Sequence, residues 1–172
     1  MDFAYQPTRQ GARVIARPIA AEDWPSLSAA ASDPAIWEQH PESDRYKPEV
    51  FRRYFDGAVQ SGAALVFIDR KSGDVIGSSR YHGLDPESRE IEIGWTFLAR
   101  DYWGGSYNAE IKRLMLGHAF RFVDTVVFWV GETNVRSRRA MEKLGGILRP
   151  GVQHRDISGG QAHVTYEIRR EQ

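Results

Sequence analysis

The sequence predicts an α/β fold of the α+β kind, with a mixed, mostly antiparallel central sheet and helices on both faces. Short apolar or alternating segments predict strands, and longer stretches with apolar residues three and four apart predict helices. One strand–helix–strand step in the middle of the chain requires a parallel crossover. The chain has 172 residues, about the size of one domain, so we expect a single domain over residues 1–172.

The first part of the chain predicts one strand and two helices. A strand is expected over residues 12–17 and is stopped by Pro18. A first helix follows, with Asp23 as its N-cap. A long connection over residues 35–47 then leads to a second helix over residues 49–61, whose apolar side chains keep to one stripe.

The middle of the chain predicts a meander of three strands followed by the parallel crossover. The strands are expected over residues 64–69, 74–81 and 90–98, the first two joined by a hairpin turn. The strongest helix is expected over residues 107–123. Residues 126–130 contain nothing polar, which is typical of a fully buried strand.

The last part predicts a helix, a polar loop and two short strands. The helix is expected over residues 134–144, with the glycines that follow as its C-terminal cap. Strands are expected over residues 147–148 and 163–168, separated by a polar loop over residues 150–162.

Composition excludes several classes of protein. Lys plus Arg and Asp plus Glu each number 23, so the net charge is zero; nucleic acids and anionic membranes attract proteins with a positive field. The absence of cysteine excludes disulfides, thiolate zinc sites and cysteine nucleophiles. The histidines have no metal-ligand spacing, so no metal is expected. No apolar run has the length of a membrane span or a secretory signal, which predicts a cytoplasmic protein.

A glycine pair between a strand and a long helix is the first segment that indicates chemistry. Gly104 and Gly105 precede the helix over residues 107–123. Glycines let the backbone approach a bulky anion, and the first turn of a helix offers free N–H groups. The segment predicts a phosphate or pyrophosphate site or, alternatively, a simple turn. It lacks the Gly-Lys-Ser/Thr of a Walker loop.

Three motifs in a fixed order resemble the GNAT N-acetyltransferase superfamily, specifically its ribosomal-protein N-acetyltransferase (RimJ/RimL-like) branch. They are Glu-Ile-Gly-Trp at 92–95, Tyr-Trp-Gly-Gly-Ser-Tyr at 102–107 with Glu110 following, and Asn-x-x-Ser … Glu-Lys-Leu-Gly at 134–145. The resemblance covers residues 75–146, and the first 60 residues fit by element order alone.

The resemblance implies acetyl-CoA as co-substrate, without a metal. In such folds the two parallel strands part, and the pantetheine arm lies between them and pairs with strand backbone. The glycine loop would hold the pyrophosphate. Asp101 and Ser106 depart from the family pattern, in which these positions are Gln or Arg and Gly or Ala. The implied donor-binding residues are Trp95, Thr96, Phe97, Trp103, Gly104, Gly105, Ser106, Tyr107, Asn134 and Ser137.

Acetyl transfer to an amine needs a base, because an alkyl ammonium must lose a proton before it can attack. Glu92 is the first candidate, acting directly or through water, because it precedes Gly94 on the strand expected to line the cleft. Glu90 shares the face of Glu92 by the two-residue period. The alternative is that these glutamates only form ion pairs with Arg80 or Arg89.

Asn134 and Ser137 allow two interpretations. An asparagine followed three residues later by a serine is typical of a helix N-cap that needs no ligand. The resemblance implies that Asn134 bonds the pantetheine and that Ser137 lies near the sulfur as a proton donor. Backbone N–H groups near Trp95 and Thr96 are candidates for polarising the thioester carbonyl.

The acceptor side is the least specified part of the sequence. Trp37 and His40 lie in the long early connection, which such a fold places over the acceptor, and Arg80 and Tyr81 are candidates for a wall of the pocket. His40 is also an alternative base. Residues 153–156 are a further candidate border of the pocket.

The leading hypothesis is an N-acetyltransferase that moves an acetyl group from acetyl-CoA to a primary amine by direct attack on the thioester. The acceptor would be a protein N-terminal α-amine or a small amine. The alternative is a non-catalytic acyl-CoA-binding module that acts as a sensor or an assembly subunit. The identity of the acceptor, the acyl length and homodimer formation are left open by the sequence.

Overall fold

The structure, a computed structural model, describes residues 2–155 and 160–172. None of the helices in these ranges is long and apolar enough to cross a lipid bilayer. The strands are β1 (Arg9–Gln10), β2 (Val14–Pro18), β3 (Ala64–Asp69), β4 (Val75–Asp85), β5 (Glu90–Leu98), β6 (Thr125–Gly131), β7 (Ile147–Leu148), β8 (Gln153–Arg155) and β9 (Gln161–Arg169). The helices are α1 (Trp24–Ala30), α2 (Pro34–Trp37), α3 (Pro48–Ser61), α4 (Ser106–Ala119) and α5 (Val135–Lys143).

All of these strands belong to one open sheet, in the order β1-β2-β3-β4-β5-β6-β9-β7, with β8 paired to β9. Strands β5 and β6 are parallel, and α4 forms the crossover between them. The other pairings are antiparallel. The predicted fold class, a mixed and mostly antiparallel sheet between helices, is therefore confirmed.

Each face of the sheet has its own hydrophobic core, because successive strand residues point to opposite faces. On one face, α4 and α5 cover a cluster that includes Ile91, Ile93 and Phe128. On the other face, α1, α2 and α3 cover an aromatic cluster that includes Phe51 and Phe97. We call these the α4 face and the α3 face.

Several element boundaries differ from the sequence-based expectations. Pro18 is the last residue of β2, not the residue after it. Helix α4 ends at Ala119, four residues before the predicted end at Val123, because Phe120 to Val123 form a tight turn into β6. Strand β8 lies inside the segment that was expected to be an irregular loop.

Candidate functional site

A wedge opens in the sheet where β5 and β6 part. The two strands pair only at Glu90–Thr125, Ile91–Val126 and Glu92–Val127. Both strands continue, β5 to Leu98 and β6 to Gly131, without further pairing to each other. The wedge, between residues 93–98 and 128–131, therefore exposes backbone donors and acceptors that can pair with an extended ligand.

A β-bulge lies on the β5 side of this wedge. Ser78 is opposite Phe97 and Arg80 is opposite Gly94, so two residues, Trp95 and Thr96, face the single Ser79. Trp95 has a φ of 51°, a left-handed conformation that strains a bulky residue. The Tyr54 hydroxyl donates to the Trp95 carbonyl and holds it in place. A bulge leaves its extra residue out of the ladder, so backbone N–H groups become available here.

The glycine loop lies beyond the open end of β5. Gly104 has a φ of 70°, which favours glycine, and a Cβ on Gly104 or Gly105 would meet open space. Gly105 is the N-cap of α4 and supplies no capping side chain. The N–H groups of the first turn of α4 therefore lack a side-chain cap at the mouth of the wedge.

Aromatic side chains around the loop hold its shape. Trp103 Nε1 donates to the Leu98 carbonyl at 2.7 Å. Tyr107 donates its hydroxyl to Asp69 at 3.0 Å, and Tyr102 donates to the other oxygen of Asp69 at 3.1 Å. The Tyr107 side chain thus anchors the loop to the end of β3, which leaves its backbone as the part available to a ligand. The side chains of Asp101 and Ser106 are exposed.

Lys112 of α4 lies beneath the wedge, in contact with both β5 and β6. Its side chain is only 3% exposed. Its ammonium donates to Thr96 Oγ1 of β5 at 3.2 Å and lies 5.2 Å from the Phe128 ring of β6. It forms no ion pair within the described residues, and burial lowers the pKa of Lys112 to about 8.

Asn134 caps α5, as its sequence context predicts. Its Oδ1 accepts from the Ser137 backbone N–H at 3.2 Å, and the side chain is 5% exposed. The cap uses only the amide oxygen, so the two N–H donors of Nδ2 remain available. Ser137 itself is half-buried in the first turn of α5.

Glu92 lies on the α3 face and forms an ion pair with Arg155 of β8. Arg155 donates from Nη1 to Glu92 Oε2 at 2.9 Å and from Nη2 to Oε1, and Glu92 is 5% exposed. The sequence had suggested Arg80 or Arg89 as the partner of Glu92, and neither of them pairs with it. A Cβ built on Gly94 would lie 2.7 Å from Glu92 Oε2, which places this carboxylate against the backbone at the start of the bulge.

Glu90, the alternative base, belongs to a separate network. Arg149 donates to both of its carboxylate oxygens and also to Glu167. Arg89, the other partner considered for these glutamates, pairs with Asp124. Glu92 is therefore the carboxylate of β5 that lies beside the bulge.

Arg80 lies on the α3 face beside Trp95. Its guanidinium carbon is 4.1 Å from the centre of the indole ring. Arg155 approaches the same ring at 5.4 Å and lies 4.0 Å from the Trp129 ring of β6. The two arginines thus flank the indole of the bulge residue on the face opposite α4.

Trp37 and Tyr81 are core residues in this structure. Trp37 is 1% exposed and donates its Nε1 to the Ala31 carbonyl at 2.9 Å, inside the aromatic cluster under α3. Tyr81 is also 1% exposed, faces α4, and donates its hydroxyl to the Met115 carbonyl at 2.7 Å. The expected pocket wall of Arg80 and Tyr81 does not form, because adjacent strand residues point to opposite faces.

His40 lies on the α3 face, where its ring contacts that of Trp37. Burial, with smaller contributions from Arg45 and His163, lowers the pKa of His40 to about 3. Its Nδ1 accepts from the Glu42 backbone N–H at 3.0 Å. Such a ring is neutral at physiological pH and a poor proton acceptor, since an effective base has a pKa near the working pH.

Residues 153–156, expected at the border of the pocket, contribute Arg155, whereas Asp156 lies outside the described residues. The sequence placed Arg155 only in a candidate pocket border, without an ion-pair partner, and gave no role to Lys112. The sequence feature that could have indicated burial of Lys112 is its position next to Ile111 on the strongest helix. Within the described residues, no three histidine, aspartate or glutamate side chains cluster as metal ligands.

Comparison with known proteins matches residues 13–147 to the model of the acetyltransferase (GNAT) domain. A GCN5-related N-acetyltransferase from Brucella melitensis superposes with a TM-score of 0.85, at 20% identity over 98% of this chain and 80% of that one. The microcin C7 self-immunity acetyltransferase MccE, solved with acetyl-CoA and AMP, has a TM-score of 0.76, at 10% identity over 93% and 94%. Spermidine N-acetyltransferase from Vibrio cholerae, solved with CoA and spermine, has a TM-score of 0.69, at 13% identity over 92% and 96%.

Proposed function

Because this chain belongs to the GNAT acetyltransferase family, whose general reaction is acetyl transfer from acetyl-CoA, we propose that it acetylates a primary amine bound on the α3 face of the wedge. The observation that carries the proposal is the wedge itself. It combines two open strand edges, a bulge at Trp95–Thr96 and an uncapped helix N-terminus at its mouth.

The residues around the wedge fit acetyl-CoA. An extended pantetheine arm can pair with the open backbone of β5, and the uncapped first turn of α4 suits a pyrophosphate. The donors of Asn134 Nδ2 lie at the start of α5, which directly follows β6. When bound, the co-substrate supplies an acetyl group activated as a thioester.

Glu92 is proposed as the base that takes a proton from the acceptor ammonium, directly or through one water. Its carboxylate lies against Gly94, one residue before the bulge. Arg155 orients both carboxylate oxygens. Glu90 is held in its own ion-pair network, and the low pKa of His40 makes it a weak base, so Glu92 is the better placed of the three.

The bulge and the start of α5 complete the proposed chemistry. Backbone N–H groups near Trp95 and Thr96 stabilise negative charge that develops on the carbonyl oxygen. The Ser137 hydroxyl is proposed to donate a proton to the departing thiolate. The acceptor ammonium loses two protons in all. Glu92 takes the first, and the second leaves the nitrogen after it bonds the acetyl carbon and restores the proton that Ser137 gives to the sulfur. The bond between the acetyl carbon and the sulfur breaks as the new bond to nitrogen forms, so the reaction balances.

The acceptor is proposed to be a protein N-terminal α-amine, as the Rim-like motifs suggest, or a small amine. Two structural neighbours are named as acetyltransferases of a polyamine and of a microcin immunity system. Their sequence identity to this chain is 13% and 10%, so they support the reaction class and not a particular acceptor.

A panel of peptides and small amines, incubated with acetyl-CoA and analysed by mass spectrometry, tests the proposal. We expect a mass increase of one acetyl group on an amine, together with calorimetric binding of acetyl-CoA. The ion pair of Glu92 with Arg155 is the observation that favours the alternative, a binding module. Donor binding without an acetylated product across the panel and across pH would establish that alternative.

A further inference from the structure

Among the residues that the structure describes, Arg80 has no polar partner, unlike Arg155 beside it. Its Nε is buried and has no hydrogen-bond acceptor. The described residues provide no ion pair or hydrogen bond to any atom of its guanidinium. The contact that positions it is the face of the Trp95 ring, 4.1 Å away. Stacking of this kind fixes the plane of a guanidinium and leaves its N–H edge free to bind a ligand.

The surroundings of Arg80 carry an excess of positive charge. Arg45, which is 7% exposed, pairs with Glu42, and Arg155 pairs with Glu92. The three guanidiniums of Arg45, Arg80 and Arg155 therefore meet the two carboxylates of Glu42 and Glu92, and within the described residues Arg80 is the one without a carboxylate. Arg45 Nε is also buried without an acceptor. Buried donors without acceptors are unfavourable, so a ligand that brings acceptor oxygens is favoured here.

We propose that the acceptor amine carries an oxyanion, a carboxylate or a phosphate, and that Arg80 binds this group during acetylation. This inference rests on the proposed function and names its substrate class. Arg80 stacks on the side chain of the bulge residue whose backbone is proposed to face the thioester, so an anion held by Arg80 lies close to the reacting amine. Arginine binds carboxylate and phosphate oxygens through two parallel hydrogen bonds. A polycation such as spermidine meets repulsion at the same place.

The test uses acceptor pairs that differ in one anionic group, each pair compared at equal concentrations of the deprotonated amine. Alanine with alaninamide tests a free carboxylate, and O-phosphoethanolamine with ethanolamine tests a phosphate. The peptide amides Asp-Ala-Ala and Asn-Ala-Ala test a side-chain carboxylate at a peptide N-terminus. Each pair is compared by kcat/KM and, with CoA bound to the protein, by calorimetric Kd. The proteins are the wild type, Arg80→Gln, Arg80→Lys, and Arg121→Gln as a control for an exposed arginine elsewhere.

In at least one pair, we expect the anionic member to be preferred by about tenfold or more, the usual size of a charge-assisted hydrogen bond. This preference should fall close to one in Arg80→Gln, recover in part in Arg80→Lys, and stay unchanged in Arg121→Gln. The pair that responds identifies carboxylate or phosphate. The inference would be overturned by equal kcat/KM and Kd for both members of every pair. A higher kcat/KM for spermidine than for the anionic amines, or a preference for the anionic member that persists in Arg80→Gln, would overturn it as well.

The two measurements separate this inference from the proposed function. If no amine is acetylated, the proposed function fails, and the binding arm alone decides whether Arg80 holds an oxyanion. If neutral amines are acetylated as fast as anionic ones, the proposed function stands and the inference fails. If none of the paired compounds binds to the wild type, the inference fails. The melting temperature of each variant shows whether the variant is folded.

Discussion

The two sides of the wedge present different kinds of chemical groups, mainly backbone on one side and side chains on the other. On the proposed donor side most of the useful groups are backbone atoms, namely the open edges of β5 and β6, the bulge, and the first turn of α4, with Asn134 and Ser137 as the side chains. On the acceptor side they are side chains: Glu92, Arg80 and Arg155 around the indole of Trp95. Backbone groups are the same in every sequence, so the first side suits one shared co-substrate. Side chains differ between sequences, so in our proposal the second side selects the amine.

The largest effect should come from Glu92→Gln, which keeps the shape and removes the base on the acceptor side. We expect kcat/KM to fall by about 100-fold near neutral pH, within the usual range for a general base. The deficit should shrink as pH rises, because more of the amine is then already deprotonated. A pH–rate profile measures this, and a profile parallel to that of the wild type would exclude Glu92 as the base.

Glu90→Gln is the matched control for this prediction. Glu90 lies two residues away on the same strand and binds Arg149 instead of Arg155. We expect its loss to lower stability by about 1 kcal/mol or less, as for other partly exposed ion pairs. The pH dependence of kcat/KM should not change.

A smaller effect is expected from Gly94→Ala, which tests the contact between backbone and carboxylate. The new Cβ would lie 2.7 Å from Glu92 Oε2 and would push the carboxylate away. We expect kcat/KM to fall by about tenfold, about 1.4 kcal/mol in the barrier, with acetyl-CoA affinity retained. The control is Gly117→Ala in α4, where a Cβ meets nothing within 4 Å. That variant should gain about 0.5–1 kcal/mol of stability, the usual helix preference for alanine.

Asn134 allows the helix cap to be separated from donor binding. Asn134→Ala removes both the cap and the free N–H donors, and a lost cap costs about 1 kcal/mol of stability. Asn134→Asp keeps an oxygen for the Ser137 N–H and removes the donors. We expect both variants to bind CoA about 3- to 10-fold more weakly, the value of one hydrogen bond, with stability lost in the alanine variant. Unchanged calorimetric affinity in both would remove Asn134 from the donor site.

The smallest effect on catalysis, and a clear effect on stability, is expected at Lys112. Its pKa of about 8 in the folded protein lies below the value of about 10.4 in an unfolded chain. The unfolded state therefore binds more protons between these values, and wild-type stability rises with pH across that window. Lys112→Met should be at least as stable as wild type at pH 7. The difference in unfolding free energy between Lys112→Met and wild type should shrink between about pH 8 and 10 in denaturant titrations. A difference that stays constant with pH would contradict the lowered pKa of Lys112.

How far the sequence predicts this molecule depends on the distance over which its residues interact. Strands β3 and β5 were predicted with their observed limits, because their patterns are local. The glycine loop and the Asn134 cap were likewise visible as short motifs. The ion pair of Glu92 with Arg155 joins residues 63 positions apart, so no local pattern indicates it. Arg80 and Tyr81 were expected on one wall, but adjacent strand residues point to opposite faces. Which of the two faces α3 depends on the packing of distant helices.

The three-pair junction between β5 and β6 also has a consequence for the resting protein. Beyond Glu92 and Val127 the sheet contains two internal edges, and such edges can recruit strands from other chains. A co-substrate lying between them would act as a temporary strand that shields them. We expect slower amide hydrogen exchange along residues 93–98 and 128–131 when CoA is bound, and less aggregation on storage. The concentration of CoA would then influence how long the protein stays folded and unaggregated.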